Sequence, residues 1–199
     1  QQYDLNLTIP GKHNVQNAVA AVAAASSAGV DPEVACQALA GFYGIRRRFE
    51  LRGHYAGITL IDDYAHHPTA IRETLSSARQ AFPGRRVIAA FEPHQIGRTE
   101  ALFDDFVKSL ALADEILILP VFPAREQVSH LECCRASGRL VKELNCRDSK
   151  ALLFPNLDQI VSRLDHSGRP FDIFVTMGAG RTNLIHDELT RRLQQNSVA

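Results

Sequence analysis

The stretch Leu60-Ile61-Asp62-Asp63-Tyr64-Ala65-His66-His67-Pro68 sets two carboxylates, a phenol and two imidazoles between an apolar run and a proline. Side chains of these types accept hydroxyl protons, hold anions and move protons near neutral pH. Two further polar clusters also follow apolar runs. They are Glu92-Pro93-His94-Gln95-Ile96-Gly97-Arg98 and Gly178-Ala179-Gly180-Arg181-Thr182-Asn183. A carboxylate after a strand can grip ribose hydroxyls, while His and Arg can grip a phosphate or carboxylate. One such cluster is an ordinary polar loop; three on one edge of one sheet would mark a ligand site.

The elements that must carry these clusters are legible from periodicity. From Phe49 onward, strands are expected at FELRGHY and ITLIDD, joined across Ala56-Gly57, then at RRVIAAFEP, DEILILPVF, ALLF and FDIFVTMG. Helices are expected at PTAIRETLSSARQAF, TEALFDDFVKSLALA, near GRLVKEL, at LDQIVSRL and at RTNLIHDELTRRLQQ. Alternating helices and short apolar strands predict an α/β, Rossmann-like fold: a mostly parallel sheet with helices on both faces. Such sheets bind ligands at the carboxyl ends of their strands. Ahead of this unit, Tyr3, Leu5, Leu7 and Ile9 alternate with polar residues as in a strand. An Ala-rich helix with Gly29 as its cap follows, then a helix begun by Asp31-Pro32. A lone strand and two helices leave apolar faces uncovered, so residues 1–46 are expected to end a larger domain and residues 47–199 to form their own.

Composition narrows the function. The 199 residues are 45% hydrophobic, with 22 Lys+Arg against 22 Asp+Glu. That balance gives no electrostatic footprint for nucleic acid or an anionic membrane, so an anionic ligand must be held by local groups. No apolar stretch reaches bilayer length and no signal-peptide pattern opens the chain, so a cytoplasmic location is expected. Cys36, Cys133, Cys134 and Cys146 show no C-x-x-C spacing, which predicts free thiols and no metal site.

Three smaller motifs complete the set. GAGRTN lacks the third glycine of a dinucleotide fingerprint and no βαβ unit follows it; its glycines better serve close approach to a ligand. No G-x-x-x-x-G-K-[ST] phosphate loop occurs in the sequence. His13 and Asn17 lie four apart on one helix face, fit to meet a flat polar ring, although His13 and Asn14 could equally serve as caps. Arg46-Arg47-Arg48 at the junction of the two parts can hold phosphates between them.

Together these stretches resemble the Mur ligases, ATP-dependent enzymes that add amino acids to the UDP-muramyl precursor of peptidoglycan. GKHNVQNAVAAVAAA is similar to the family segment G-x-H-N-x-x-N-A-x-A-A, and GIRRRFE to its hinge G-x-x-R-R-F/L-E. DDYAHHPTAI resembles D-D-Y/F-x-H-H-P-T/S-x-I of the branch acting on UDP-N-acetylmuramate itself. FEPHQIGRT resembles the F-Q-P-H-R-Y-S-R-T segment of the alanine-adding members, and TMGAGRTN their terminal strand and glycine loop.

The resemblance implies the C-terminal part of a three-domain ligase, with ATP and Mg2+ as cofactors and UDP-N-acetylmuramate and L-alanine as substrates. Its phosphate loop and most of its metal ligands would lie outside this chain. It implies an acyl-phosphate intermediate, so that both chemical steps concentrate negative charge. By motif, His13, Asn14 and Asn17 would contact adenine, Arg48 the nucleotide and Asp63 the ribose. His66 and Tyr64 would border the amino acid and acceptor carboxylate, and Arg98 with His94 would clamp the amino-acid carboxylate. Gly178 and Gly180 would let backbone approach the substrate. The sequence departs from the pattern at Gln95-Ile96-Gly97, which removes a cation and two hydroxyls beside Arg98, and at Arg181 and Thr182. Two rivals stand beside this reading: a ligase that attaches a whole tripeptide in recycling, and a non-catalytic nucleotide- or partner-binding module.

Overall fold

The computed structural model describes residues 2–196. Its first part is helical. Helix α1 spans Lys12–Ser27 and α2 spans Pro32–Ala40. Asp31 caps α2 by accepting the Glu33 N–H, with Pro32 in the first turn where its missing N–H costs nothing. The strand expected at Tyr3–Ile9 is not formed. A strand exists through its ladder, and among the described residues this stretch has no ladder partner. Its alternation survives as burial, with Tyr3, Leu5, Leu7 and Ile9 half-covered between exposed neighbours.

Strands β1 (Glu50–Tyr55) and β2 (Ile58–Asp63) form the expected antiparallel hairpin. Ala56 and Gly57 both take positive φ, 48° and 83°, as the tight right-twisting turn requires. The chain continues through α3 (Pro68–Ala81), β3 (Val87–Phe91), α4 (Ile96–Ala101), α5 (Phe103–Leu110) and β4 (Glu115–Ile118). Then come α6 (His130–Cys146), β5 (Ala151–Leu153), α7 (Leu157–Ser167), β6 (Ile173–Met177) and α8 (Leu184–Asn196). The sheet order is β1-β2-β6-β3-β4-β5, parallel throughout except for β1. The mostly parallel α/β sheet is therefore present.

Two expected helices differ. The one expected from Thr99 is two, because Leu102 at φ −114° and ψ 23° breaks α4 from α5. The short helix near Gly138 is longer, because Ser129 and Glu132 form a reciprocal capping box that starts α6 eight residues earlier. All four cysteines are free thiols, with Cys133 buried against Val121 and Ala136.

Period-two alternation sends each strand's side chains to two cores. Ile61, Val87, Ala89, Phe91, Ile116, Ile118 and Val175 pack under α3, α5 and α6, through Ile71, Leu75, Phe106, Leu110 and Leu140. Leu60, Ile88, Ala90, Leu117 and Phe174 pack under α7 and α8, through Ile160, Leu164, Ile185 and Leu189. Strands β2, β3, β4 and β6 are buried along their whole length, so it is at their ends that polar groups can meet a ligand.

Candidate active site

The same alternation separates the adjacent carboxylates at the end of β2. Asp62 points to the α8 face, where Thr176 donates its hydroxyl to Oδ1 at 2.7 Å and Arg47 Nε donates to Oδ2 at 3.3 Å. Behind it, His186 Nε2 lies 2.6 Å from the Thr176 hydroxyl oxygen. The Thr176 proton is committed to Asp62, so His186 must donate from Nε2, and Nδ1 is left buried without a partner. Burial, and next the charge of Arg52, pushes the His186 pKa down to about 3. Burial raises the Asp62 carboxyl against the opposing pull of Thr176 and Arg47.

Asp63 points to the α3 face. Its carboxylate accepts the N–H groups of Phe49 at 2.9 Å and Ala65 at 2.8 Å. Burial raises its pKa above the usual carboxylate range, and these N–H donors and Thr74 pull the other way. Asp63 thus ties the junction between the two parts of the chain to the loop that bears His66.

His66, His94 and Arg98 gather at the carboxyl edge. The His66 and His94 rings stand 5.9 Å apart, and Tyr64 meets His66 edge-on at 5.2 Å. His66 Nδ1 donates to the Tyr64 carbonyl at 2.9 Å, which leaves Nε2 as the proton acceptor of the neutral ring. Burial, reinforced by the Arg98 charge, lowers the His94 pKa and keeps its ring neutral. His94 Nδ1 and Arg98 Nη1 are buried polar atoms without partners. Buried polar groups are normally satisfied, so these two atoms retain hydrogen-bonding capacity that a ligand could use.

Beside this cluster, between α1, α3 and the junction, lies a cavity of about 760 Å³. His13, Asn14, Asn17, Arg48 and Asp63 all line it, on a floor that includes Leu7, Ile9, Leu39, Phe42 and Phe49. His13 Nδ1 is buried, 3.7 Å from Glu73 and without a hydrogen bond. Asn14 is partly committed, since its side-chain amide donates to the Pro10 carbonyl at 2.6 Å. Tyr64 joins cavity and rim: the guanidiniums of Arg47 and Arg48 sit 5.0 and 5.7 Å from its ring centre.

The two glycines take a different part in the rim. The Gly178 carbonyl accepts Arg47 Nη2 at 2.8 Å, and Gly180 leaves room for the Glu92 carboxylate, which accepts the Arg181 N–H at 2.8 Å. Burial raises the Glu92 pKa, with that N–H pulling against it. A Gly180→Ala side chain would run into this carboxylate. The variant is expected to lose the Arg181 contact and about 1–2 kcal/mol of stability. A melting temperature within about 1 °C of the parent would show that Glu92 steps aside freely.

Two residues of the site, Phe122 and Glu126, were not among those singled out from the sequence, and Arg47 was marked only as one of three arginines. Arg47 sits inside an arginine run whose members are equivalent until the backbone places them, here with Arg47 at φ 58°. Phe122 flanks His94, the rings 5.5 Å apart. Glu126 accepts the N–H groups of Ile96 and Gly97, and no local signal links these distant positions.

An imidazole pair and an arginine at the carboxyl edge of a doubly covered, mostly parallel sheet, beside a cavity of this size, form the kind of ligand site that α/β folds build. Residues 47–180 match the family model described as Mur ligase, glutamate ligase domain, and the chain belongs to that family. The UDP-N-acetylmuramate–L-alanine ligase of Lawsonia intracellularis is 38% identical over 179 residues, covering 90% of this chain and 39% of that protein. Among solved structures, the UDP-N-acetylmuramate–alanine ligase of Thermotoga maritima has a TM-score of 0.79 at 29% identity, over 96% of this chain and 40% of that one. The murein peptide ligase of Psychrobacter arcticus has a TM-score of 0.68 at 30% identity, over 94% and 38%. The chain thus spans about two fifths of the length of the relatives it matches.

Proposed function

We propose that this chain is the C-terminal part of an ATP-dependent ligase that joins L-alanine to UDP-N-acetylmuramate in peptidoglycan precursor synthesis. Residues 1–46 end its nucleotide-binding domain, and residues 47–199 are the domain that brings the amino acid. One observation carries this reading. Five residues marked for the nucleotide line a single cavity, and its Asp63 wall runs directly into the Tyr64–His66 rim.

The cavity's unpaired His13 nitrogen and the Asn17 amide suit a flat, hydrogen-bonding base over an apolar floor. Arg48 faces the same space as a phosphate partner, and Asp63 retains lone pairs for ribose hydroxyls. ATP, when bound, supplies the phosphoryl group that activates the acceptor carboxylate. Arg98 and His94 hold the amino-acid carboxylate, and His66 Nε2 takes the proton released as the amine attacks. Among the described residues, no group of three or more His, Cys, Asp or Glu gathers to hold a metal; magnesium accompanying ATP would take its ligands mainly from phosphate oxygens and from the rest of the enzyme. No step here is routed through the metal. Among the described residues, no helix is long and apolar enough to cross a membrane.

The test is ATP turnover by the full-length protein with UDP-N-acetylmuramate and either L-alanine or a cell-wall tripeptide. Turnover with alanine is expected; turnover with tripeptide alone would favour the recycling ligase and overturn the choice. The 199 residues by themselves are expected to give no product, and ligation by them would refute the division into domains.

A further inference from the structure

The guanidinium of Arg98 is anchored at one end only. Nη2 donates to the Gln95 side-chain carbonyl at 3.0 Å, while Nη1, like His94 Nδ1, is buried and unpaired. Gln95 itself holds a left-handed backbone, φ 68°, an unfavourable state for a side-chain-bearing residue. Five hydrogen bonds hold the turn around it. Its N–H donates to the Phe122 carbonyl at 2.8 Å, and its carbonyl accepts both the Thr99 N–H and hydroxyl. Glu126 closes the turn by accepting the Ile96 N–H at 2.6 Å and the Gly97 N–H at 3.0 Å.

Strained backbone held by its surroundings serves to aim a side chain. We infer that Gln95 is the positioning residue for Arg98: its amide carbonyl fixes Nη2 and turns Nη1 toward the substrate carboxylate, with Glu126 locking the turn. This rests on the proposed amino-acid ligase. A neutral amide suits the task on electrostatic grounds. A carboxylate at this position would neutralise Arg98, whereas the amide oxygen orients the guanidinium and leaves its charge for the substrate carboxylate.

Steady-state kinetics of the full-length enzyme test this, with Gln95→Met and Gln95→Glu compared with Arg98→Ala. Gln95→Met keeps the side-chain length and removes the acceptor. It is expected to raise the amino-acid KM roughly tenfold, leaving the KM for ATP and the melting temperature unchanged. Gln95→Glu is expected to raise it further, toward the level of Arg98→Ala, because a fixed carboxylate competes with the substrate's. If both Gln95 variants bind the amino acid like the parent while Arg98→Ala does not, the positioning role is wrong. A loss of melting temperature with unchanged KM would also sink it, as a purely structural effect. If Arg98→Ala is itself without effect, the failure lies in the placement of the amino acid at Arg98.

Discussion

Replacing Arg98 with alanine in the full-length enzyme is expected to raise the amino-acid KM at least roughly 30-fold, with a much smaller change in the KM for ATP. The reason is the energy of a buried ion left alone. Truncating one partner of a desolvated charge pair costs about 2–5 kcal/mol, since the other charge loses its partner and does not regain water. Arg98 Nη1 is such a desolvated donor, and the second donor within reach, His94, is held neutral by burial and by Arg98 itself. Arg47 is already engaged with Asp62 and the Gly178 carbonyl, so it is not expected to take over the carboxylate. Lysine should not restore binding, because a point charge lacks the planar fork that Gln95 holds from behind. An unchanged alanine KM in Arg98→Ala would remove this residue from the site.

The second large effect is on stability and depends on pH. His186 is nearly enclosed between Phe174 and Thr176, and its pKa falls from 6.5 to about 3. The unfolded chain therefore takes up a proton below about pH 6.5 that the native chain refuses until about pH 3. Stability from this group is complete above pH 6.5 and is lost as the pH falls through that window. Between pH 7 and pH 5 the loss is about 2 kcal/mol. Urea denaturation of the 199-residue chain and of His186→Leu at both pH values measures it. Asp62, Asp63 and Glu92, whose carboxyls burial raises, act with the opposite sign and are common to both proteins. The leucine variant is expected to lose about 2 kcal/mol less between the two pH values; parallel losses would refute the assignment.

Much of this architecture was legible because it follows from local periodicity. The apolar strands, the Ala56-Gly57 hairpin and the Asp31-Pro32 helix start each depend on neighbours in the chain, and each is present. The positions marked around the nucleotide also converge, since one helix face and the β2 terminus sit on the same side of the sheet. What escaped depends on distant partners. Asp62 and Asp63 look alike as letters, and only the pleat together with α8 shows that Asp62 belongs to a buried chain with Thr176 and His186. The break at Leu102 and the reach of Glu126 to Gly97 are likewise tertiary. The unpaired strand at Tyr3–Ile9 is the converse case: a correct alternation without a sheet to complete it.

The position of β6 has a consequence for how the protein is made. β2 and β3 are successive strands in the chain, yet β6, the last strand of the sheet, lies between them. Until Ile173–Met177 leaves the ribosome, β2 and β3 each present an unpaired backbone edge. The imidazole pair has no fixed separation during that time. Nascent chains stalled before this point expose sticky strand edges that suit chaperone capture. Formation of the candidate rim thus waits until β6 has been made.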